Sequence, residues 1–269
     1  MEILGFIGVG RIASAMLDIL LNKKLLPPKN ILLFDTDPSR LEPYADRGVQ
    51  IAASNRELAA RSVMVVLAVK PQTMEEVLRE IKPESSGRRY ISIAAGVTTA
   101  FIRDRLESNA LVARVMPNAP LALAAGATVI AQDQALPPEM TSFVEKLFSC
   151  MGTIAYLPED KLNEVIGVSA TSPAFFFRMA HALALAAQEQ GIPYTTALLL
   201  VCQSMNGSAR MLSHNTPPER LISMVASPGG TTEAAMQVLD RYGFDSAMRD
   251  AALRCTERAY ELSEGMMNP

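Results

Sequence analysis

Apolar residues along the chain follow two rhythms, and one replaces the other near residue 157. Before that point, short unbroken apolar runs alternate with stretches of helical spacing. The run at 3–7 ends in Gly8, and 12–21 follows with helical periodicity and small residues on one side, which predicts strand, tight turn, helix. The runs at 31–34, closed by Asp35, and 63–69 contain no polar interruption. Such continuity fits strands covered on both faces, and hence a parallel sheet. Further strands are expected at 90–94, 111–115, 128–131 and 153–156, with helices at 72–81, 98–106 and 138–151. This alternation is the pattern of a doubly wound α/β domain.

After Leu157 the strand-like runs vanish. Ala, Met, Leu and Gln fill long segments punctuated by Gly191-Ile192-Pro193, Pro217-Pro218 and Ser227-Pro228-Gly229-Gly230. The predicted organisation is therefore a Rossmann-like doubly wound sheet over residues 1–157, followed by an all-helical domain over 158–269. Segments 174–190 and 194–213 are apolar around most of their circumference, which suits a bundle core or a subunit interface better than a lone surface helix. A homo-oligomer built through this half is the expected consequence.

Composition narrows the chemistry. The 269 residues are 49% hydrophobic and 20% charged, as in globular proteins. With 25 Lys and Arg against 28 Asp and Glu, the net charge of -3 offers no field for nucleic acid or an anionic membrane. Three scattered cysteines and two histidines make neither a disulfide framework nor a metal site. No basic segment precedes the first apolar run, and no uncharged apolar run reaches the roughly 18 residues of a membrane span. A cytoplasmic location is expected.

Gly8-Val9-Gly10-Arg11-Ile12-Ala13 is a G-x-G-x-x-A sequence at the first strand-to-helix junction. Its first glycine permits the turn, its second admits a pyrophosphate to the backbone, and small Ala13 lets helix and strand close together. The new helix turns its free N–H groups toward the anion. Asp35, ending the second strand, suits hydrogen bonds from the adenosine ribose and would repel a 2′-phosphate, a lean toward NAD. Arg40 lies close enough in sequence to serve that phosphate instead. Asn55 is placed both to cap the next helix and to touch the nucleotide.

For proton handling the candidates are few. His181 sits in an apolar helix and His214 beside a helix end, where packing and capping account for them. No lysine follows Lys161, which itself reads as a solvated first-turn residue. A 2-hydroxy or 3-hydroxy acid dehydrogenase is thereby disfavoured. The helical half does contain Ser227-Pro228-Gly229-Gly230-Thr231-Thr232-Glu233, read either as an anion site of backbone N–H groups and hydroxyls or as an ordinary N-cap with Glu233 in the first turn.

Taken together, these segments resemble the pyrroline-5-carboxylate reductase family. The resemblance runs nearly end to end, through Gly5–Gly10, Ala68-Val69-Lys70-Pro71, residues 92–98, Arg114-Val115-Met116-Pro117-Asn118-Ala119-Pro120, residues 126–129 and residues 227–232. It implies an NADH- or NADPH-dependent reduction of 1-pyrroline-5-carboxylate to L-proline in the final step of proline synthesis, and a helical domain that dimerises or builds larger rings. It assigns the cofactor to Gly8, Gly10, Arg11, Ile12, Asp35, Asn55, Ala68, Lys70, Ala95, Met116 and Asn118. Gly229, Gly230, Thr231 and Ser172 would hold a cyclic imine carboxylate between the domains, with Ser227 and Thr232 at the chemistry and Thr232 nearest the imine nitrogen. No metal is implied.

Two departures bear on the substrate. The chain has Gly167-Val168-Ser169-Ala170-Thr171-Ser172-Pro173-Ala174-Phe175 where the family usually reads Gly-x-Ser-Gly-Ser-x-Pro-Ala-Tyr, so a methyl is added at Ala170 and a hydroxyl lost at Phe175. Leu221-Ile222-Ser223 also replaces more polar residues before the bend. A reductase of another cyclic imine and a non-catalytic dinucleotide-binding paralogue are the alternatives.

Overall fold

The computed structural model describes residues 3–132 and 136–267. The outer limits of the two expected domains, residues 1 and 269, lie outside the described residues. Eight strands, β1 (Leu4–Ile7), β2 (Ile31–Phe34), β3 (Gln50–Ile51), β4 (Met64–Leu67), β5 (Arg89–Ser92), β6 (Leu111–Met116), β7 (Gly126–Ala131) and β8 (Gly152–Leu157), form one sheet. Their order is β3-β2-β1-β4-β5-β6-β7-β8. Every neighbouring pair is parallel except β6 and β7, which run antiparallel with Val115 opposite Ile130. The reversal refines the expectation of a parallel sheet. Residues 117–125 hold only the 3-10 turn Ala119–Leu123, which is too short for the crossover a parallel partner needs.

Helices α1 (Arg11–Asn22), α2 (Glu42–Ala45), α3 (Asn55–Arg61), α4 (Pro71–Ile81), α5 (Thr99–Arg105) and α6 (Pro138–Ser149) alternate with these strands. Because side chains alternate along a strand, Phe6 enters the core under α1 and α6, among Met16, Leu17, Val144 and Phe148. Ile7 enters the opposite core, with Leu58 of α3, Leu78 of α4 and Ile102 of α5. Each such apolar side chain contributes roughly 1.5–3 kcal/mol of burial free energy, so both faces of the sheet are firmly covered and the strand ends are held in place.

The remaining chain is helical: α7 (Ser172–Glu189), α8 (Tyr194–Leu212), α9 (Pro218–Val225), α10 (Thr231–Arg241) and α11 (Phe244–Met267). A π-helical turn at Ile166–Ala170, which periodicity does not announce, precedes them. By compactness the chain divides into Met1–Thr171 with Leu253–Pro269, and Ser172–Ala252. The expected boundary at 157 marks the end of β8; contacts carry the first unit past it to Thr171. Within the second unit α7 and α8 pack together. His181, expected in a core, is instead exposed, with Nδ1 2.9 Å from the Tyr194 hydroxyl. No described helix is long and apolar enough to cross a membrane.

Candidate functional site

Gly8 leaves β1 with φ +89°, and a Cβ there would lie 2.9 Å from the Ala68 carbonyl oxygen, so no larger residue fits. Its N–H donates to the Phe34 oxygen at 2.9 Å, tying the turn to β2. Gly10 is the N-cap of α1, without a side-chain cap and with no acidic residue in the first turn. Beyond its chain neighbours, no atom lies within 4 Å of where its Cβ would be. The open N–H groups and positive dipole end of α1 therefore face free space, which suits an anion approaching the backbone from Gly10 through Arg11 and Ile12.

Asp35 has a different occupation from the one its position suggests. One carboxylate oxygen accepts from Val9 N–H at 2.7 Å, and the other from Asp37 N–H at 2.9 Å. Arg40 lies 3.5 Å away and also pairs with Asp37 at 3.2 Å. The Asp35 side chain is only 7% exposed, so its first task is to brace the glycine turn. Asn55 does not cap its helix either. Ser54 is the N-cap, accepting from Glu57 N–H at 3.1 Å, while Glu57 accepts from Ala53 N–H, one residue before the cap, at 2.7 Å in a variant of the capping box. Freed from capping, Asn55 donates its amide to Glu80 on α4 at 2.7 Å. Gly8, Asp35, Thr36, Asn55, Thr73 and Glu80 help line a cleft of about 160 Å³ at the carboxyl ends of β1 and β2, where open α/β sheets bind nucleotides.

Further along the same sheet edge, Ala68 follows β4 and is anchored by its N–H to the Ile7 oxygen at 2.9 Å. Lys70 is exposed at the N-cap of α4, ahead of Pro71 in the first helical position. Ala95 lines a second cleft, of about 350 Å³, together with Ile166, Thr171, Arg254 and Arg258. Met116 is buried behind it, packed in the same cluster as Ala95 and Ala170. Asn118 is a bridge: its oxygen accepts from Ala127 N–H at 2.8 Å and its amide donates to the Ser169 oxygen at 3.2 Å.

Beneath this edge lies a group that reading the sequence for function passed over. Arg114 points from β6 into the interior, its side chain 1% exposed, 3.5 Å from Glu159 and donating to Asn163 at 2.8 Å. Burial pushes its guanidinium below the usual arginine range, and Glu159 works against that shift. Glu159 also accepts from the N–H and hydroxyl of Thr99, at 2.6 and 2.5 Å. One carboxylate thus fastens the start of α5 and the middle of β6 to the segment after β8. An arginine inside an apolar strand run is the signal that could have revealed it, since a buried charge needs a partner.

In the helical unit, Ser172 opens α7, and the bend at residues 227–230 leads into α10 with Gly230 as N-cap and no side-chain cap. The two glycine N–H groups are not open, contrary to expectation. Gly230 donates to the Ser227 oxygen at 2.9 Å, and Gly229, at φ +71°, donates to the Glu233 carboxylate at 2.7 Å. The N–H groups of Thr231, Thr232 and Glu233, in the first turn of α10, lack an intrahelical acceptor. These N–H groups lie at the positive end of the α10 dipole, and Ser227 and Thr232 bring hydroxyls to the same stretch of chain.

Comparison with known proteins places these features in a family. Residues 159–262 match the family model described as pyrroline-5-carboxylate reductase dimerisation, and residues 3–96 match that of the coenzyme F420-dependent NADP oxidoreductases. The pyrroline-5-carboxylate reductase of Escherichia coli is 35% identical over 264 residues, covering 97% of this chain and 98% of its own. That of Methanosarcina acetivorans is 34% identical with the same coverage. The solved structure of a Coxiella burnetii pyrroline-5-carboxylate reductase superposes with a TM-score of 0.86 at 31% identity, covering 97% of this chain and 98% of that one.

Proposed function

The chain belongs to the pyrroline-5-carboxylate reductase family, and from that premise we propose that it reduces 1-pyrroline-5-carboxylate to L-proline with NADH or NADPH, as the last step of proline biosynthesis. The residues present fit a dinucleotide. The space left at Gly10 and the uncapped start of α1 accept a pyrophosphate, with Arg11 and Ile12 beside it. Asp35 and Asn55 border the adenosine end, while Ala68, Lys70, Ala95, Met116 and Asn118 shape the nicotinamide end. When bound, the reduced nicotinamide supplies the hydride that the imine carbon accepts.

What this chain must add is modest, because a cyclic imine is already electrophilic. The N–H groups of Thr231 and Thr232 hold the substrate carboxylate at the head of α10, where the helix dipole favours an anion. Gly229 and Gly230 shape the bend, Ser172 lies at the start of α7, and the hydroxyls of Ser227 and Thr232 supply donors. Thr232 hydrogen-bonds the imine nitrogen and, as hydride reaches the carbon, that nitrogen takes up one proton from solvent through the Thr232 hydroxyl to give the secondary amine. Such a site needs neither His nor Lys, which matches their scarcity in the helical half. We further propose that the protein is a homodimer or a larger ring assembled through the helical unit, and that it works in the cytoplasm.

The observation that carries this reading is the uncapped bend at residues 227–232, present in a chain with full-length relatives of that name. Thr232→Ala tests it. Turnover of pyrroline-5-carboxylate should drop roughly 10²-fold while coenzyme affinity, followed by fluorescence titration, stays put. Undiminished turnover would remove Thr232 from the chemistry.

A further inference from the structure

We propose that Glu159 and Thr99 form a positioning pair for hydride transfer: by fastening the start of α5 they hold Ala95 in place, and so set the approach of the imine carbon to the reduced nicotinamide. The inference rests on reading Ala95 as part of the coenzyme site and on the reductase activity proposed above.

Ala95 lies in the connection from β5 to α5, where Gly96 turns the chain at φ +76°. A glycine bend restrains its own backbone little, so the connection depends on how its two ends are tied. At the first end, Ile93 N–H donates to the Leu67 oxygen at 3.2 Å. At the second, Thr98 caps α5 by accepting from Phe101 N–H at 3.1 Å. Thr99 then gives Glu159 both of its donors, the N–H to one carboxylate oxygen at 2.6 Å and the hydroxyl to the other at 2.5 Å. Two bonds to both oxygens of one carboxylate fix direction as well as distance. Thr99 is buried, and bonds so withdrawn from water hold more firmly than surface ones.

Glu159 is held in its turn by Arg114, 3.5 Å away on β6. Two residues further along that strand is Met116, in whose cluster both Ala95 and Ile166 pack. Glu159 also begins the segment leading to Ile166 and Thr171, which line the same cleft as Ala95. The carboxylate therefore joins the piece of chain that carries Ala95 to the piece that carries Ile166 and Thr171. Glu159, Thr99, Arg114 and Asn163 all lie outside the lining of that cleft, so their effect on a reaction there passes through Ala95. The π-helical turn has a tie of its own, from the Asn118 amide to the Ser169 oxygen. Loss of the Thr99 hydroxyl bond accordingly frees Ala95 to move while that turn stays. Small movements count, because reacting atoms must come within about 3–3.5 Å and a misplacement of about 1 Å can cost roughly 10²-fold.

Two substitutions separate the bond from the packing. Thr99→Val keeps the volume and the N–H bond and removes the hydroxyl, whereas Thr99→Ser keeps both donors. In the coenzyme-free protein, hydrogen exchange of residues 93–98 should quicken severalfold in Thr99→Val and stay slow in Thr99→Ser. With pyrroline-5-carboxylate, Thr99→Val should lose roughly tenfold in kcat while its coenzyme affinity, by fluorescence titration, changes less than about twofold. Thr99→Ser should recover most of that turnover. Unmoved exchange or turnover in Thr99→Val, a Thr99→Ser as slow as Thr99→Val, or a loss of coenzyme affinity matching the loss of kcat would each overturn the positioning role. So would a Thr99→Val chain that does not fold, since the pair would then serve stability. An unaltered protein that binds neither coenzyme, or binds one and reduces no pyrroline-5-carboxylate, would overturn the function beneath the proposal, and the proposal with it.

Discussion

Glu233 brings a carboxylate of the chain's own to the bend proposed to receive the carboxylate of the substrate. It takes the N–H of Gly229 and stays exposed, so it braces the turn while standing near the incoming anion. Glu233→Gln keeps an acceptor for Gly229 and removes the repulsion. The KM for pyrroline-5-carboxylate should fall about threefold, the scale of an exposed charge interaction, with kcat little changed; a raised KM would show that the charge helps rather than hinders binding. Residues such as this mark where sequence reading stops. Asp35 is legible as an acid ending a strand, but its bond to Val9 N–H depends on a turn geometry that no pattern states. Ser54 and Glu57 spell a capping box that pattern alone could have found, and finding it would have freed Asn55 from a capping role. Arg114, Glu159 and Thr99 are 15 to 60 positions apart, and only the fold brings them together.

At the level of elements, most of the α/β half was legible because its inner strands are buried on both faces and its helices on one. β1, β2 and β4 to β8 fall on the apolar runs, and α1, α4, α5 and α6 on the helical stretches, within a few residues at each end. What escaped has physical causes. β3 is two residues at a sheet edge, half-buried and exposed, and carries no apolar run. The reversal between β6 and β7 follows from a connection that looks like an ordinary loop until its lack of a helix is considered. The π-helical turn at Ile166–Ala170 has no period of its own in the sequence. The bend before α10 was legible in its residue types, whereas the capture of both glycine N–H groups within the chain was not, since it depends on where the Glu233 side chain folds back.

For the whole molecule, the apolar circumference of the helical segments finds its counterpart in exposed side chains. Phe177 on α7 is 67% exposed, Leu199 on α8 69%, and Val225 on α9 63%. Faces so apolar call for a covering partner, and the dimerisation family match over residues 159–262 spans all three helices. Size-exclusion chromatography with light scattering should return twice the 29.1 kDa chain mass or a multiple of it, and Phe177→Glu with Leu199→Glu should shift it toward one chain. A monomeric unaltered protein would contradict the proposed assembly. The central claim is more direct still: that this chain passes a hydride to a cyclic imine acid. Mixing the purified protein with pyrroline-5-carboxylate and NADH or NADPH, and following the absorbance of the reduced coenzyme alongside the proline formed, tests it in one experiment. The account predicts coenzyme loss matched mole for mole by L-proline. An unchanged absorbance with either coenzyme, from a protein that is folded and binds dinucleotide, would contradict it.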